Sequence, residues 1–110
     1  MKIDGRCHCG FITYEAEVDA EKVEICHCTD CQTLSGSAFR IDAPVEGGKL
    51  KLLSGRPKAY IKTAEAGNKR AQMFCPECGT PIYSSSAVGE PPIYVRVATA
   101  RQRDELYSCM

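Results

Sequence analysis

The sequence predicts an all-β domain, a sheet or sandwich assembled on zinc. Two observations predict it. Short stretches of alternating apolar and polar residues recur along the chain, broken by Gly, Pro and Ser. Seven of the eight cysteines fall into three clusters at metal-ligand spacing. The 110 residues suit one small domain, residues 1–110. A core of that size is real but modest, and a metal staple is a common supplement in small folds.

The elements follow in order. From Phe11 to Val18 the alternation is clean: Ile12, Tyr14, Ala16 and Val18 share one face, with Thr13, Glu15 and Glu17 opposite. Val23 and Ile25 form the apolar face of a second strand. Thr29 to Leu34 makes one helical turn, ended by Ser35-Gly36. Ala38 to Val45 is a strand that stops near Pro44 and Gly47-Gly48. Leu50 and Leu52 belong to another strand, turned by Ser54-Gly55. Lys58 to Thr63 alternates Ala59 and Ile61 against Lys58, Tyr60 and Lys62, and Ala66-Gly67-Asn68 is a turn. Ala71 to Phe74 and Pro81 to Ser84 flank the last cysteine pair. Ile93 to Val97 is the final strand, with Ile93, Val95 and Val97 on one face. Ala100 to Tyr107 is helical at most, with few apolar residues.

Charge and composition narrow the class. Fourteen Lys and Arg balance fourteen Asp and Glu. That balance argues against a dedicated nucleic-acid or membrane-surface binder, since both usually carry a basic excess. Lys49, Lys51, Lys58, Lys62, Lys69 and Arg70 form a loose basic scatter, read as a solvated strand face. Seven thiolates around two zinc ions would leave the protein mildly acidic, at roughly −3. Met1 to Gly5 lacks the apolar region of a secretory leader. No apolar run approaches the roughly 20 residues of a membrane span. A cytoplasmic address is therefore expected, where clustered cysteines serve as ligands rather than disulfides.

Cys75-Pro76-Glu77-Cys78-Gly79 has the form of a zinc knuckle. Pro76 presets the turn and Gly79 tolerates a left-handed backbone. One knuckle supplies two of zinc's four ligands. Cys7 and Cys9 are the candidate second pair, pointing the same way if the segment is extended. Joining the pairs closes a loop of roughly 66 residues at an entropic cost of about 4 kcal/mol. A structural zinc site contributes about 10–16 kcal/mol in small peptides. The alternative is buried apolar cysteines or a redox pair.

Cys26, Cys28 and Cys31 then stand alone. Three thiolates leave one tetrahedral position open, as in catalytic zinc sites. Such a site can hold a thiol as thiolate or activate water. The alternative is a closed site whose fourth ligand is His8, His27, Cys109 or a carboxylate. On an extended backbone His8 and His27 point away from their cysteine neighbours, so packing roles are expected for both. Cys109 reads as a free terminal thiol.

These clusters, taken with their neighbours, resemble the glutathione-dependent formaldehyde-activating enzyme family, which includes centromere protein V. The matching stretches are Gly5-Arg6-Cys7-His8-Cys9-Gly10 followed by Tyr14, Cys26-His27-Cys28-Thr29-Asp30-Cys31 followed by Ser35-Gly36-Ser37-Ala38-Phe39, Gly55 before Tyr60, and Phe74-Cys75-Pro76-Glu77-Cys78-Gly79-Thr80-Pro81. The resemblance covers residues 5–97. It implies an Mss4-like fold of small antiparallel sheets around zinc. It also implies a structural zinc on Cys7, Cys9, Cys75 and Cys78, and a second, labile zinc on Cys26, Cys28 and Cys31, near which glutathione binds. The implied activity is a carbon–sulfur lyase that joins glutathione and formaldehyde as S-(hydroxymethyl)glutathione, and reverses that step. After the last strand the chain departs from the family: Ala98-Thr99-Ala100-Arg101 replaces a Gly-Thr-Leu-Asp-like turn, and the tail 98–110 is short.

The expected partners are thus a small thiol such as glutathione and a small aldehyde, with homo-oligomerisation left open. No general base is assigned beyond Asp30 as a candidate. The competing readings are a non-catalytic zinc module that binds a protein or an adduct, and a dithiol switch using Cys26 to Cys31.

Overall fold

The structure, a computed structural model, describes residues 1–63 and 67–108. It is mainly antiparallel β, with two short helices among the described residues. The elements are β1 (Lys2–Arg6), β2 (Thr13–Val18), β3 (Glu24–Cys26), α1 (Thr29–Ser35), β4 (Arg40–Ser54), β5 (Lys58–Thr63), β6 (Lys69–Phe74), β7 (Pro81–Ser86), β8 (Tyr94–Arg96) and α2 (Arg103–Tyr107). Single 3-10 turns lie at Ala20–Lys22 and Val97–Thr99. The hydrogen-bonded order is β1-β2-β4-β8-β7-β6-β5, with β3 also on β4. The expected turn at Ala66-Gly67-Asn68 falls partly, and Cys109 wholly, outside the described residues.

The long strand β4 corrects the expectation of two strands broken at Pro44 and Gly47-Gly48. Its first half pairs β3 through Ile25↔Ile41 and β8 through Ala43↔Val95. Its second half pairs β2 through Ala16↔Leu50. Pro44 is tolerated because β3 has already ended beside it. Its carbonyl, projecting to the same side as the missing N–H, accepts instead from the Asp19 N–H at 3.0 Å. Gly47 and Gly48, at φ 56° and 71°, form a bulge. Between Val45 and Leu50 β4 advances five residues while β2 moves two. The bulge bends β4 from one sheet into the next.

The predicted inward face of β2 is buried throughout: Ile12, Tyr14, Ala16 and Val18 join Ile3, Ala43, Ile82, Val95 and Val97 in one core cluster. Tyr14 brings a hydroxyl into that core and satisfies it on Thr99 Oγ1 at 2.7 Å. Ile25 and Ile61, expected on apolar faces, are 43% exposed because β3 and β5 lie at the margins of the sheet. β1 was not expected as a strand. Its outer side is covered by the segment after β8, with Gly5 bridged to Ala100 and the Arg101 N–H donating to the Asp4 carbonyl at 2.8 Å. α2 is shorter than the expected 100–107 helix, yet its one strongly apolar residue, Leu106, is fully buried.

Gly5 is required by close approach. A Cβ there would lie 2.5 Å from the Tyr14 hydroxyl and against the Thr99 carbonyl. Gly5→Ala is expected to destabilise the protein by about 1–3 kcal/mol, read as a lowered urea midpoint at unchanged slope.

Asp4 ties the same segment to β1. Its carboxylate accepts from Arg101 Nη2 at 2.9 Å and from Gln102 Nε2 at 2.7 Å. Arg101 first, then Gln102, hold the Asp4 carboxyl below its ordinary range. A lowered folded-state pKa stabilises above the unfolded value, about 4, and that contribution is lost as pH falls through the folded value. Asp4→Asn should therefore reduce the denaturation midpoint at pH 6. The gap to wild type should shrink toward zero below pH 4; a gap independent of pH would contradict the assignment.

Candidate functional site

Two hairpin ends carry matching knuckles. In the first, between β1 and β2, the Cys7 N–H donates to the Ile12 carbonyl at 3.0 Å and the Gly10 N–H to the Cys7 carbonyl at 3.2 Å. In the second, between β6 and β7, the Cys75 N–H donates to the Thr80 carbonyl at 2.9 Å and the Gly79 N–H to the Cys75 carbonyl at 2.8 Å. Gly10 and Gly79 both turn left-handed, at φ 82° and 81°. The Cys7–Cys9 pair therefore converges by a tight turn, not by the extended backbone expected from its spacing. The His8 N–H donates to Thr80 Oγ1 at 3.1 Å and stitches one knuckle to the other.

The four sulfurs of Cys7, Cys9, Cys75 and Cys78 all lie within 4.8 Å of one another. Cys7 to Cys9 is 3.6 Å and Cys9 to Cys75 is 3.8 Å. Four sulfurs bound to one zinc at about 2.3 Å would sit about 3.8 Å apart, so the set fits a tetrahedral ion. Cys7 and Cys75 are buried, whereas Cys9 and Cys78 are exposed. The Thr80 hydroxyl and N–H, then the Cys9 N–H, bring the Cys78 thiol down to about 5.

The second cluster is assembled by β3 and α1. The Cys26 sulfur lies 3.4 Å from that of Cys28. Cys28 caps α1, accepting the Cys31 N–H on its sulfur at 3.3 Å. Cys31, one turn in, is buried. The three sulfurs also lie within 4.8 Å. The Cys31 N–H, then the neighbouring thiols, bring Cys28 down to about 7. Burial first, then Cys26 and Cys28, push Cys31 up to about 12. The surroundings thus favour the thiolate at the exposed Cys28 and the thiol at the buried Cys31, and a cation beside them would favour the thiolate at both. Both cysteine sets are able to hold a metal ion, and neither includes a histidine or carboxylate among the described residues.

The flanking residues have other occupations. The His27 ring packs on Phe39 at 5.7 Å between centroids. His8 is exposed and lines the cleft described next. Asp30 pairs with Lys62 at 2.9 Å, and Lys49 with Glu17 at 3.2 Å. Arg70 turns inward to Ser84 and the Pro92 carbonyl.

Sequence reasoning missed the charged group beside the triad. Arg40 Nη2 donates to the Cys31 sulfur at 3.2 Å. Arg96 Nη1 donates to Asp42 at 2.7 Å, and its Nη2 to Gln72 at 2.6 Å. The available signal was two opposite charges, Arg40 and Asp42, sharing one face of a strand that otherwise reads as apolar. Arg40 and Arg96 stand in the wall of a cleft of about 560 Å³ between the triad and the knuckles. A neighbouring hollow of about 410 Å³, reaching Tyr60 and Gln72, shares both arginines. A third hollow, about 720 Å³, lies over β1, β2 and β4; no cysteine lines it, and several of its charges pair with one another, as Lys49–Glu17 and Arg101–Asp4.

A β domain that joins two thiol knuckles and sets a second thiol cluster beside a cleft defines a class of small metal-ready proteins. The chain belongs to the glutathione-dependent formaldehyde-activating enzyme family, whose pattern matches residues 2–110. An uncharacterized lyase of Schizosaccharomyces pombe (strain 972 / ATCC 24843) is 26% identical over 92 residues, covering 84% of this chain and 64% of that protein. The crystal structure of a Rhodobacter sphaeroides protein superposes with a TM-score of 0.65 at 23% identity, covering 87% of this chain and 85% of that one. That last likeness is one of fold.

The two clusters should separate by mutation. Cys75→Ser breaks the set that joins the hairpins and is expected to leave the chain unfolded by circular dichroism, because a structural site of about 10–16 kcal/mol matches or exceeds the whole stability of about 5–15 kcal/mol. Cys28→Ser should stay folded and lose one bound metal equivalent, measured by elemental analysis of protein purified without chelator. A folded Cys75→Ser protein would count against the clamp.

Proposed function

We propose that the chain is a zinc-dependent carbon–sulfur lyase-like protein acting on the adduct of glutathione, or a similar thiol, with a small aldehyde, such as S-(hydroxymethyl)glutathione. Cys7, Cys9, Cys75 and Cys78 hold a structural zinc. Cys26, Cys28 and Cys31 hold a second, more labile one. Residues 1–110 act as a single domain, and the cytoplasm, as a reducing compartment, suits its free thiols. Family membership and the lyase name of the yeast relative support the reaction class.

One observation carries the reading: the triad offers three sulfurs, with no fourth ligand in its set among the described residues, and Cys28 lies at the surface. Cys26, Cys28 and Cys31 would hold a zinc ion there, which would supply the charge that favours an incoming thiol as its thiolate. The chain's own residues shape that position. The Cys31 N–H fixes the Cys28 sulfur, and Arg40 fixes the Cys31 sulfur. In the forward direction a C–S bond forms, the carbonyl π bond breaks, and the thiol's proton ends on the new hydroxyl. The reverse direction releases aldehyde and thiol. Asp30 is engaged with Lys62 and does not line the cleft, so no general base is assigned to it.

The test is the rate of S-(hydroxymethyl)glutathione formation from glutathione and formaldehyde, above the uncatalysed rate. Wild type should exceed background, and Cys28→Ser should lose at least about tenfold, or ~1.4 kcal/mol of barrier. Equal rates for the two proteins would replace the lyase with an adduct-binding zinc module.

A further inference from the structure

The whole chain is electrically balanced, but the cleft of about 560 Å³ is not. Its lining holds Arg6, Arg40 and Arg96 and no carboxylate. Arg6 is fixed there by donating from Nε to the Cys7 carbonyl at 3.2 Å and from Nη2 to the His8 carbonyl at 3.0 Å. Those bonds orient the guanidinium without neutralising it, and it has no ion-pair partner among the described residues.

Arg40 and Arg96 share one carboxylate. Asp42 lies 3.8 Å from Arg40 Nε and 2.7 Å from Arg96 Nη1. Their side chains are only 12% and 7% exposed, and the Nε of each is buried without a hydrogen-bond partner. Two cations against one anion at that depth leave a surplus charge that is costly unless an anion answers it. The Cys31 sulfur answers Arg40 on one side only. Hydroxyls of Ser35, Ser37 and Tyr107 line the same cleft and can donate to an anion.

We propose that this cleft recognises the carboxylate groups of the thiol substrate, with Arg6 and Arg40 as specificity-determining residues. Guanidinium is the side chain best matched to a carboxylate, through paired N–H donors. Arg40 touches both the cleft and Cys31, so a ligand anchored there has its sulfur end beside the triad. The proposal rests on the lyase-like reading for the sulfur end of the ligand. It adds that thiols lacking a carboxylate are poor ligands.

The test uses S-methylglutathione, which keeps both carboxylates but has no thiol to offer a metal, and its diethyl ester, which has neither. Calorimetric titration of the metal-loaded wild type should show the acid binding at least about tenfold more tightly than the ester, as expected for losing a charge-assisted hydrogen bond. Arg6→Gln should weaken the acid by about fivefold or more and leave the ester unchanged, and Arg40→Gln should weaken the acid at least as much. Arg6 is exposed, so its variant carries the test if Arg40→Gln does not fold. Equal binding of acid and ester, no binding of the acid, or equally effective competition by inorganic phosphate would each overturn the proposal. Loss of the lyase reading in the kinetic assay would leave this difference in place, so the two failures are distinguishable.

Discussion

Everything in this fold depends on the meeting of two knuckles, Cys7/Cys9 and Cys75/Cys78, whose sulfurs come from distant parts of the chain. The Cys9 and Cys75 sulfurs are 66 residues apart and 3.8 Å apart in space. Bringing such distant segments together costs about 4 kcal/mol of loop entropy. Local structure lowers the remaining cost. Each knuckle is a closed turn with its own hydrogen bonds and a left-handed glycine, so each sulfur pair is held by local structure. The His8–Thr80 bond and the buried Cys7 and Cys75 side chains then join the knuckles to the core.

The second constraint is the bend in β4. A straight strand would leave β3, α1 and the β6–β7 knuckle on one sheet and the β1–β2 knuckle on another, with no common wall. The bulge at Gly47-Gly48 lets one strand serve both, and it starts at Arg40, beside the triad. The segment after β8 completes the arrangement. Tyr14 reaches Thr99 from the core, Leu106 packs beneath, and Thr99 and Tyr107 face the cleft. The tail that reads as atypical in sequence therefore supplies part of the wall.

Alternation shows which residues share a face, but not whether anything packs on that face. Ile12, Tyr14, Ala16 and Val18 alternate and are buried; Ala59 and Ile61 alternate as cleanly and are exposed, because β5 ends the sheet. All seven described cysteines were legible as clusters, since a knuckle is set by neighbours in sequence. The joining of two knuckles was legible only through the count of ligands zinc needs. The Arg40–Asp42–Arg96 group was not legible, because it depends on the register Asp42↔Arg96, which brings together residues 54 apart in the chain. Pro44 misled for a related reason: a missing N–H breaks a strand only if the partner on that side is present, while the two glycines mark a bulge that bends β4 without ending it.

The two sulfur sets differ in what competes for their electrons. In the knuckles the sulfurs face neutral donors: the Ile12 N–H at 3.2 Å to Cys7, the Glu77 N–H at 3.4 Å to Cys75, and the Thr80 hydroxyl 3.1 Å from Cys78. In the triad Cys31 faces a guanidinium carrying a full positive charge. A hydrogen bond from a cation is roughly twice as strong as a neutral one, and it draws charge from the sulfur that a metal would otherwise share. With a dication in each set, four thiolates sum to −2 and three to −1. The asymmetry thus lies in the neighbours of the sulfurs as well as in their number: neutral N–H and O–H donors serve the four-sulfur set, and a guanidinium serves one member of the three-sulfur set.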